Sequence, residues 1–123
     1  MKVLLDTNFL IDVIRFKINL DDIGIVAAAP YTLATVSTVL NELERISNRK
    51  SKTSSYAKLA LQLIKKYNVE IIQVNKRADQ AIFELVKNEK YISATNDKEL
   101  RKRLKTLGMK TIYLKSKKHL AIG

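Results

Sequence analysis

The chain has 123 residues, 46% of them apolar, with only three glycines and one proline, which suits one ordered domain over residues 1–123 and excludes a linker or tail. With no cysteine and one histidine, disulfides, thiolate metal sites and the usual zinc chemistry are excluded, so any bound metal must be held by oxygen. The net charge of +11 favours a polyanionic partner, nucleic acid above all, and no apolar run approaches the ~20 residues that cross a bilayer.

Lys2–Leu5 reads as a short buried strand, apolar as parallel strands are. Phe9, Leu10, Val13 and Ile14 recur at helical spacing, predicting a helix from about Asn8 to Arg15. Leu20, Ile23, Val26 and Ala27 suggest a second short helix within 19–29, with Pro30 beyond its end. Leu33–Val36 is the next strand, and Ser37 or Thr38 is expected to cap a helix that buries Val39, Leu40, Leu43 and Ile46. Ser47–Ser55 is polar and reads as a loop, followed by an amphipathic helix over Tyr56–Tyr67. Glu70–Val74 is a strand, and Asn75 is placed to cap a helix carrying Ala78, Ile82, Leu85 and Val86 inward. Tyr91–Ala94 is the following strand. Thr95 or Asn96 is expected to cap a helix with Leu100, Leu104 and Leu107, and Gly108 sits where a glycine ends a helix. Lys110–Leu114 is the last expected strand. Strands alternating with helices imply a parallel sheet joined by right-handed crossovers. The first ten residues lack the basic start and cleavage site of a signal peptide, so a cytoplasmic location is expected.

Most acids need only a structural account. Glu70, Glu84, Glu89 and Glu99 fall on solvent faces or element ends, and Asp21 and Asp22 suit the first turn of the short helix. Asp6, Glu42, Asp79 and Asp97 differ. Asp6 and Asp97 follow strand ends, while Glu42 and Asp79 lie in the first turns of helices, so all four belong to one edge of the sheet. In open α/β sheets that edge holds the ligand crevice. Each acid also has a plain explanation: Asp6 as a cap, Asp79 and Asp97 as acids at helix N-termini, Glu42 as a partner of Arg45 or Lys50. Gathered in one crevice, however, they repel one another unless a cation lies between them, and Mg2+ or Mn2+ suits such an oxygen set.

Four segments carry a resemblance: Val3-Leu4-Leu5-Asp6-Thr7-Asn8, Val39-Leu40-Asn41-Glu42-Leu43, Ala78-Asp79-Gln80-Ala81-Ile82 and Ser93-Ala94-Thr95-Asn96-Asp97. In this order and spacing the chain resembles the PIN-domain ribonucleases over essentially its whole length. The resemblance implies a three-layer α/β/α sandwich around a mostly parallel five-stranded sheet of order 3-2-1-4-5. It implies that Asp6, Glu42, Asp79 and Asp97 form the metal-binding catalytic centre, and it matches Asn8 and Thr95 to supporting polar positions. After Asp79 the helix carries Phe83-Glu84-Leu85, whereas many toxin-type members have small residues there. The segment Asn96–Leu104 looks more like the ribosomal-RNA-processing branch, which includes a eukaryotic small-subunit processome nuclease.

The expected activity is metal-dependent endoribonuclease cleavage, with two ions about 3.5–4 Å apart supporting in-line displacement. Lys98, Arg101, Lys102, Arg103 and Lys105 follow Asp97 directly and are the expected RNA-binding residues. Tyr56, Tyr67, Tyr91 and Tyr113 are candidates for stacking on bases. The expected partners are RNA, a second copy of the chain through the apolar stretch Ile23–Ala29, and an antitoxin or a ribosome-assembly protein. Two other readings stand beside rRNA processing: a VapC-type toxin and a catalytically idle PIN-like module that only binds RNA. A phosphoryl-transfer domain with Asp6 as nucleophile is disfavoured, because Asn8 stands where a second acid would be needed.

Overall fold

The computed structural model describes residues 1–88 and 91–123, so Glu89 lies outside the described residues. Its centre is β1 (Lys2–Leu5), where Val3, Leu4 and Leu5 have 0% exposure. A strand apolar at consecutive positions must be covered on both faces, and the remaining elements supply that cover. In chain order they are α1 (Thr7–Arg15), a 3-10 turn (Leu20–Asp22), α2 (Ile23–Ala27), β2 (Thr32–Val36), α3 (Ser37–Ser47) and α4 (Lys52–Lys66). There follow β3 (Glu70–Ile72), α5 (Ala78–Asn88), β4 (Tyr91–Ala94), α6 (Lys98–Thr106), β5 (Thr111–Lys115) and β6 (His119–Ile122).

The sheet has six strands in the order β3-β2-β1-β4-β5-β6. The first five pair in parallel, with Leu5 beside Ala94 and Val36 beside Ile72, while β6 pairs antiparallel to β5. The expected order 3-2-1-4-5 is therefore present, extended by one strand. Successive crossovers lead outward from β1 to β2 and β3, then back to β4 and outward the other way to β5. With right-handed connections this puts α1, α3 and α4 on one face and α5 and α6 on the other. The packing agrees: α4 lies against α1 and α3, and α5 lies against α6. The point where the winding reverses lies between β1 and β4, the place where α/β sheets open a crevice at the strands' carboxyl ends.

Helix ends follow local chemistry, with several departures from expectation. Asp97, not Thr95 or Asn96, caps α6, accepting from the Glu99 and Leu100 N–H groups. The cap position before α3 falls on Val36, which makes no side-chain cap bond, and Ser37 instead exchanges two hydrogen bonds with the Val74 backbone across the sheet edge. The polar stretch expected as a long loop narrows to 48–51, because Ser51 caps α4 and lets it begin at Lys52. Gly108 ends α6 as expected: at φ +74° its N–H bonds the Lys105 carbonyl, and the Met109 N–H bonds that of Leu104.

The unexpected strand β6 turns back at Ser116 and Lys117, both left-handed with φ of 56° and 57°. A primed turn of this kind matches strand twist but is usually built from Asn-Gly or Asp-Gly. Its sequence therefore carried no hairpin signal, and His119 pairs with Lys115.

Candidate active site

Asp6 is the first residue after β1 and is only 5% exposed. Its backbone N–H bonds the Ala94 carbonyl at 3.0 Å, and the Thr95 N–H bonds that of Ile112 at 3.0 Å, so the sheet's ladder runs on into the site. The Asp6 Oδ1 accepts from the Thr7 N–H at 2.8 Å, which makes it the cap of α1, and its Oδ2 accepts from the Thr95 hydroxyl at 2.6 Å. Thr95, fully buried, also accepts from the Asp97 N–H at 3.1 Å and lies 3.3 Å from Asn8 Oδ1. Asn8 Oδ1 accepts from the Asn96 N–H at 3.0 Å. Asn96 in turn donates to Asp12 and accepts from the Leu114 N–H, tying α1, the β4–α6 connection and β5 together.

Asp6, Glu42, Asp79 and Asp97 line one cleft of about 610 Å3, together with Thr7, Asn8, Thr38, Asn41, Arg45, Asn75, Lys76, Arg77 and Ala78. The four acids come from four different connections and meet because β1, β2, β3 and β4 are parallel and end together. The structural explanations for Asp6 and Asp97 hold as well, since each caps a helix, while Asp79 Oδ1 stands 3.6 Å from Arg77 Nε. Among the described residues Glu42 forms no ion pair with Arg45 or Lys50.

Burial is the main force pushing the Asp6 carboxyl above its ordinary range. The Thr95 hydroxyl and the Thr7 N–H pull it back, while the negative charges of Glu42 and Asp97 push it further up. Asp6 thus sits in a field that a cation would relieve. The donor set fits Mg2+ or Mn2+, being entirely oxygen. Two hydroxyl oxygens of cleft residues, Thr7 Oγ1 and Thr38 Oγ1, are buried without a hydrogen-bond partner in the protein. Among the described residues no three acids or histidines stand close enough to clasp one ion, so holding one would require side-chain rotation. Half-buried Glu42 and Asp79 have the room to supply it.

None of Lys98, Arg101, Lys102, Arg103 and Lys105 lines the cleft. Lys98, Lys102 and Lys105 are exposed on α6, whereas Arg101 lies 3.5 Å above the Tyr113 ring and Arg103 lies 4.1 Å above Phe83. Tyr113 is thereby covered on one face. The cleft's own cations are Arg45, Lys76 and Arg77, which sequence reasoning missed. A signal for them existed: Arg45 follows Glu42 by three residues on one helix, and Lys76-Arg77 precede Asp79 in the same connection.

An α/β/α domain with carboxylates gathered at its switch point defines a class of proteins that work on ligands at the sheet's carboxyl edge. Within that class, this chain belongs to the PIN-like domain family, whose model matches residues 3–117. It is 36% identical over 126 aligned residues to ribonuclease VapC4 of Methanocaldococcus jannaschii, covering 98% of this chain and 95% of that protein. Its fold is similar to the PIN domain endonuclease Utp24, with a TM-score of 0.80 and 24% identity over 98% of this chain and 90% of that one. It is also similar to VapBC2 from Rickettsia felis bound to a promoter DNA fragment, with a TM-score of 0.55 and 21% identity over 84% of this chain and 92% of that one. At these identities the two structures speak for the fold alone. No helix among the described residues is long and apolar enough to cross a membrane.

Proposed function

We propose that this chain is a divalent-metal-dependent endoribonuclease in which Asp6, Glu42, Asp79 and Asp97 are the catalytic and metal-binding groups, with Asn8 and Thr95 supporting them. The observation that carries the reading is the convergence of four acids from separate connections on one cleft, in a chain 36% identical to a ribonuclease. When bound, Mg2+ or Mn2+ supplies charge stabilisation at the phosphoryl oxygens and makes water a usable nucleophile at neutral pH. The chain's own groups do the rest. Thr95 holds the Asp6 carboxylate in orientation, and Asn8 holds the Thr95–Asn96 backbone against α1. Asp97 commits Oδ1 to the helix start, which leaves its other oxygen for the cleft. Arg45 and Arg77 offset the acids and draw a phosphate chain inward, while Lys76 is paired with Glu84 at 2.6 Å. Lys98, Lys102 and Lys105 extend the positive track beyond the cleft and make binding salt-sensitive.

The test is cleavage of a mixed RNA pool with Mg2+ or Mn2+, compared with Asp6→Asn and Asp97→Asn. Both variants are expected to fold and not to cut. Retained cleavage in both would remove this cleft as the active site. RNA binding that is unchanged in chelator, with no cleavage under any metal, would instead make the chain an RNA-binding module.

For the biological role, the 36% identity with VapC4 favours a toxin-type ribonuclease restrained by an antitoxin partner in the cytoplasm. The basic character of α6 favours the rRNA-processing role with a ribosome-assembly partner. Growth arrest on expression, relieved by a co-expressed antitoxin, would decide for the toxin. A homodimer is suggested by Ile25, 77% exposed on α2, although Ile23 of the same stretch is buried in the core.

A further inference from the structure

A second cavity, of about 300 Å3, opens beside the acidic cleft and shares Asn75 and Lys76 with it. Its remaining lining is Gln73, Val74, Ala81, Glu84, Leu85 and Asn88. We infer that this cavity is a nucleobase subsite, taking the base of a nucleotide next to the phosphate held at the acids. The inference rests on the nuclease reading above and adds to it a basis for sequence preference.

Three features point to a base rather than to a second phosphate. The wall is rich in carboxamides: Gln73, Asn75 and Asn88 each offer a donor pair and an acceptor, the groups that read base edges in single-stranded RNA. All three side chains are exposed where the cavity opens. The floor is apolar, formed by Val74, Ala81 and Leu85, which suits the face of a flat ring. Among the described lining residues the one cation, Lys76, pairs with the one acid, Glu84, at 2.6 Å, so that lining carries no net charge. The volume sits at the lower end of small-ligand sites, roughly 300–1,000 Å3.

Position explains why the two sites would work together. Val74 is pinned by two hydrogen bonds to Ser37, at 3.1 and 3.0 Å, which fixes the start of the connection leading to Asp79. Asn75 and Lys76, next in the chain, form the ridge between cavity and cleft. A strand laid over that ridge places a phosphate on one side and its neighbouring base on the other.

Two measurements test this. In the first, a randomised RNA pool is cut with Mn2+ and the new ends are sequenced for wild type, Gln73→Ala and Asn88→Ala. A base bias of about fivefold or more is expected at one position flanking the cut, as one well-made edge contact confers. Both variants are expected to flatten that bias, whatever happens to their overall rate. An unchanged bias in both variants would overturn the subsite and leave the nuclease reading standing. The second measurement needs no cleavage: the side-chain amide signals of Gln73 and Asn88 are followed by NMR as single nucleoside monophosphates are added. Shifts that differ between bases support the subsite, even for a chain that never cuts. Signals that do not move, or that move identically with ribose phosphate alone, refute it.

Discussion

Replacing Thr95 by valine is the most direct probe of how the site is held. The exchange keeps the buried shape and deletes one hydroxyl. That hydroxyl donates to the Asp6 carboxylate at 2.6 Å and accepts from the Asp97 N–H at 3.1 Å, in a residue with 0% exposure. A hydrogen bond to a charged group contributes about 1.5–3 kcal/mol and a neutral one about 1 kcal/mol, so the expected loss is about 3 kcal/mol. For a domain of this size that lowers the melting temperature by roughly 12 °C. Thr95→Ser keeps the hydroxyl, loses one methyl and should cost about 1 kcal/mol. The loss should depend on pH in a defined direction. Burial already holds the Asp6 carboxyl above the ordinary carboxylate range, and removing the Thr95 bond raises it further. A carboxyl with a raised folded pKa weakens the fold once it is ionised in both states, and that penalty fades as pH falls through the folded pKa. The stability gap between wild type and Thr95→Val should therefore be widest near neutrality and narrow on acidification. Urea unfolding at pH 7.5 and 4.5 measures it. A gap under about 0.5 kcal/mol, or one that grows in acid, would refute the reasoning.

Other outcomes follow from the same geometry. Asp97→Asn should leave stability within about 0.5 kcal/mol, because asparagine caps a helix about as well, whereas Asp97→Ala should lose about 1 kcal/mol; only a carboxylate should restore cleavage. Adding Mn2+ should raise the wild-type melting temperature, by about 2.7 kcal/mol of stability at a hundredfold excess over its Kd, and an equal rise in an Asp6→Asn, Asp97→Asn double variant would exclude these ligands. Gly108→Ala meets no atom within 4 Å but must hold φ +74°, so its cost should be that of backbone strain, about 1 kcal/mol by calorimetry. A loss above about 3 kcal/mol would mean the site is packed rather than open.

The sequence disclosed the parallel core because Val3-Leu4-Leu5 leaves no polar face to expose. The four acids were legible as a group because each sits at a fixed offset from such a strand or from a helix start. What escaped was information held by tertiary contact. Ser37 looks like a cap in sequence, yet Val74, in the connection after β3, occupies its hydroxyl. The stacking of Arg101 on Tyr113 and of Arg103 on Phe83 joins separate elements, which local spacing does not display. The hairpin at Ser116-Lys117 escaped because its left-handed turn uses residues that do not advertise one.

The way β1 and β4 run on into Asp6 and Thr95 gives the cleft two unlike halves. Asp6 and Asp97 form a fixed jaw, built onto the sheet and braced by Thr95 and Asn96, while Glu42 and Asp79 ride on helices as an adjustable one. A vice of that kind sets the reference plane with one side and accommodates the workpiece with the other. Changes of grip, whether to a larger cation or to a differently bent RNA, should accordingly be absorbed on the α3 and α5 side.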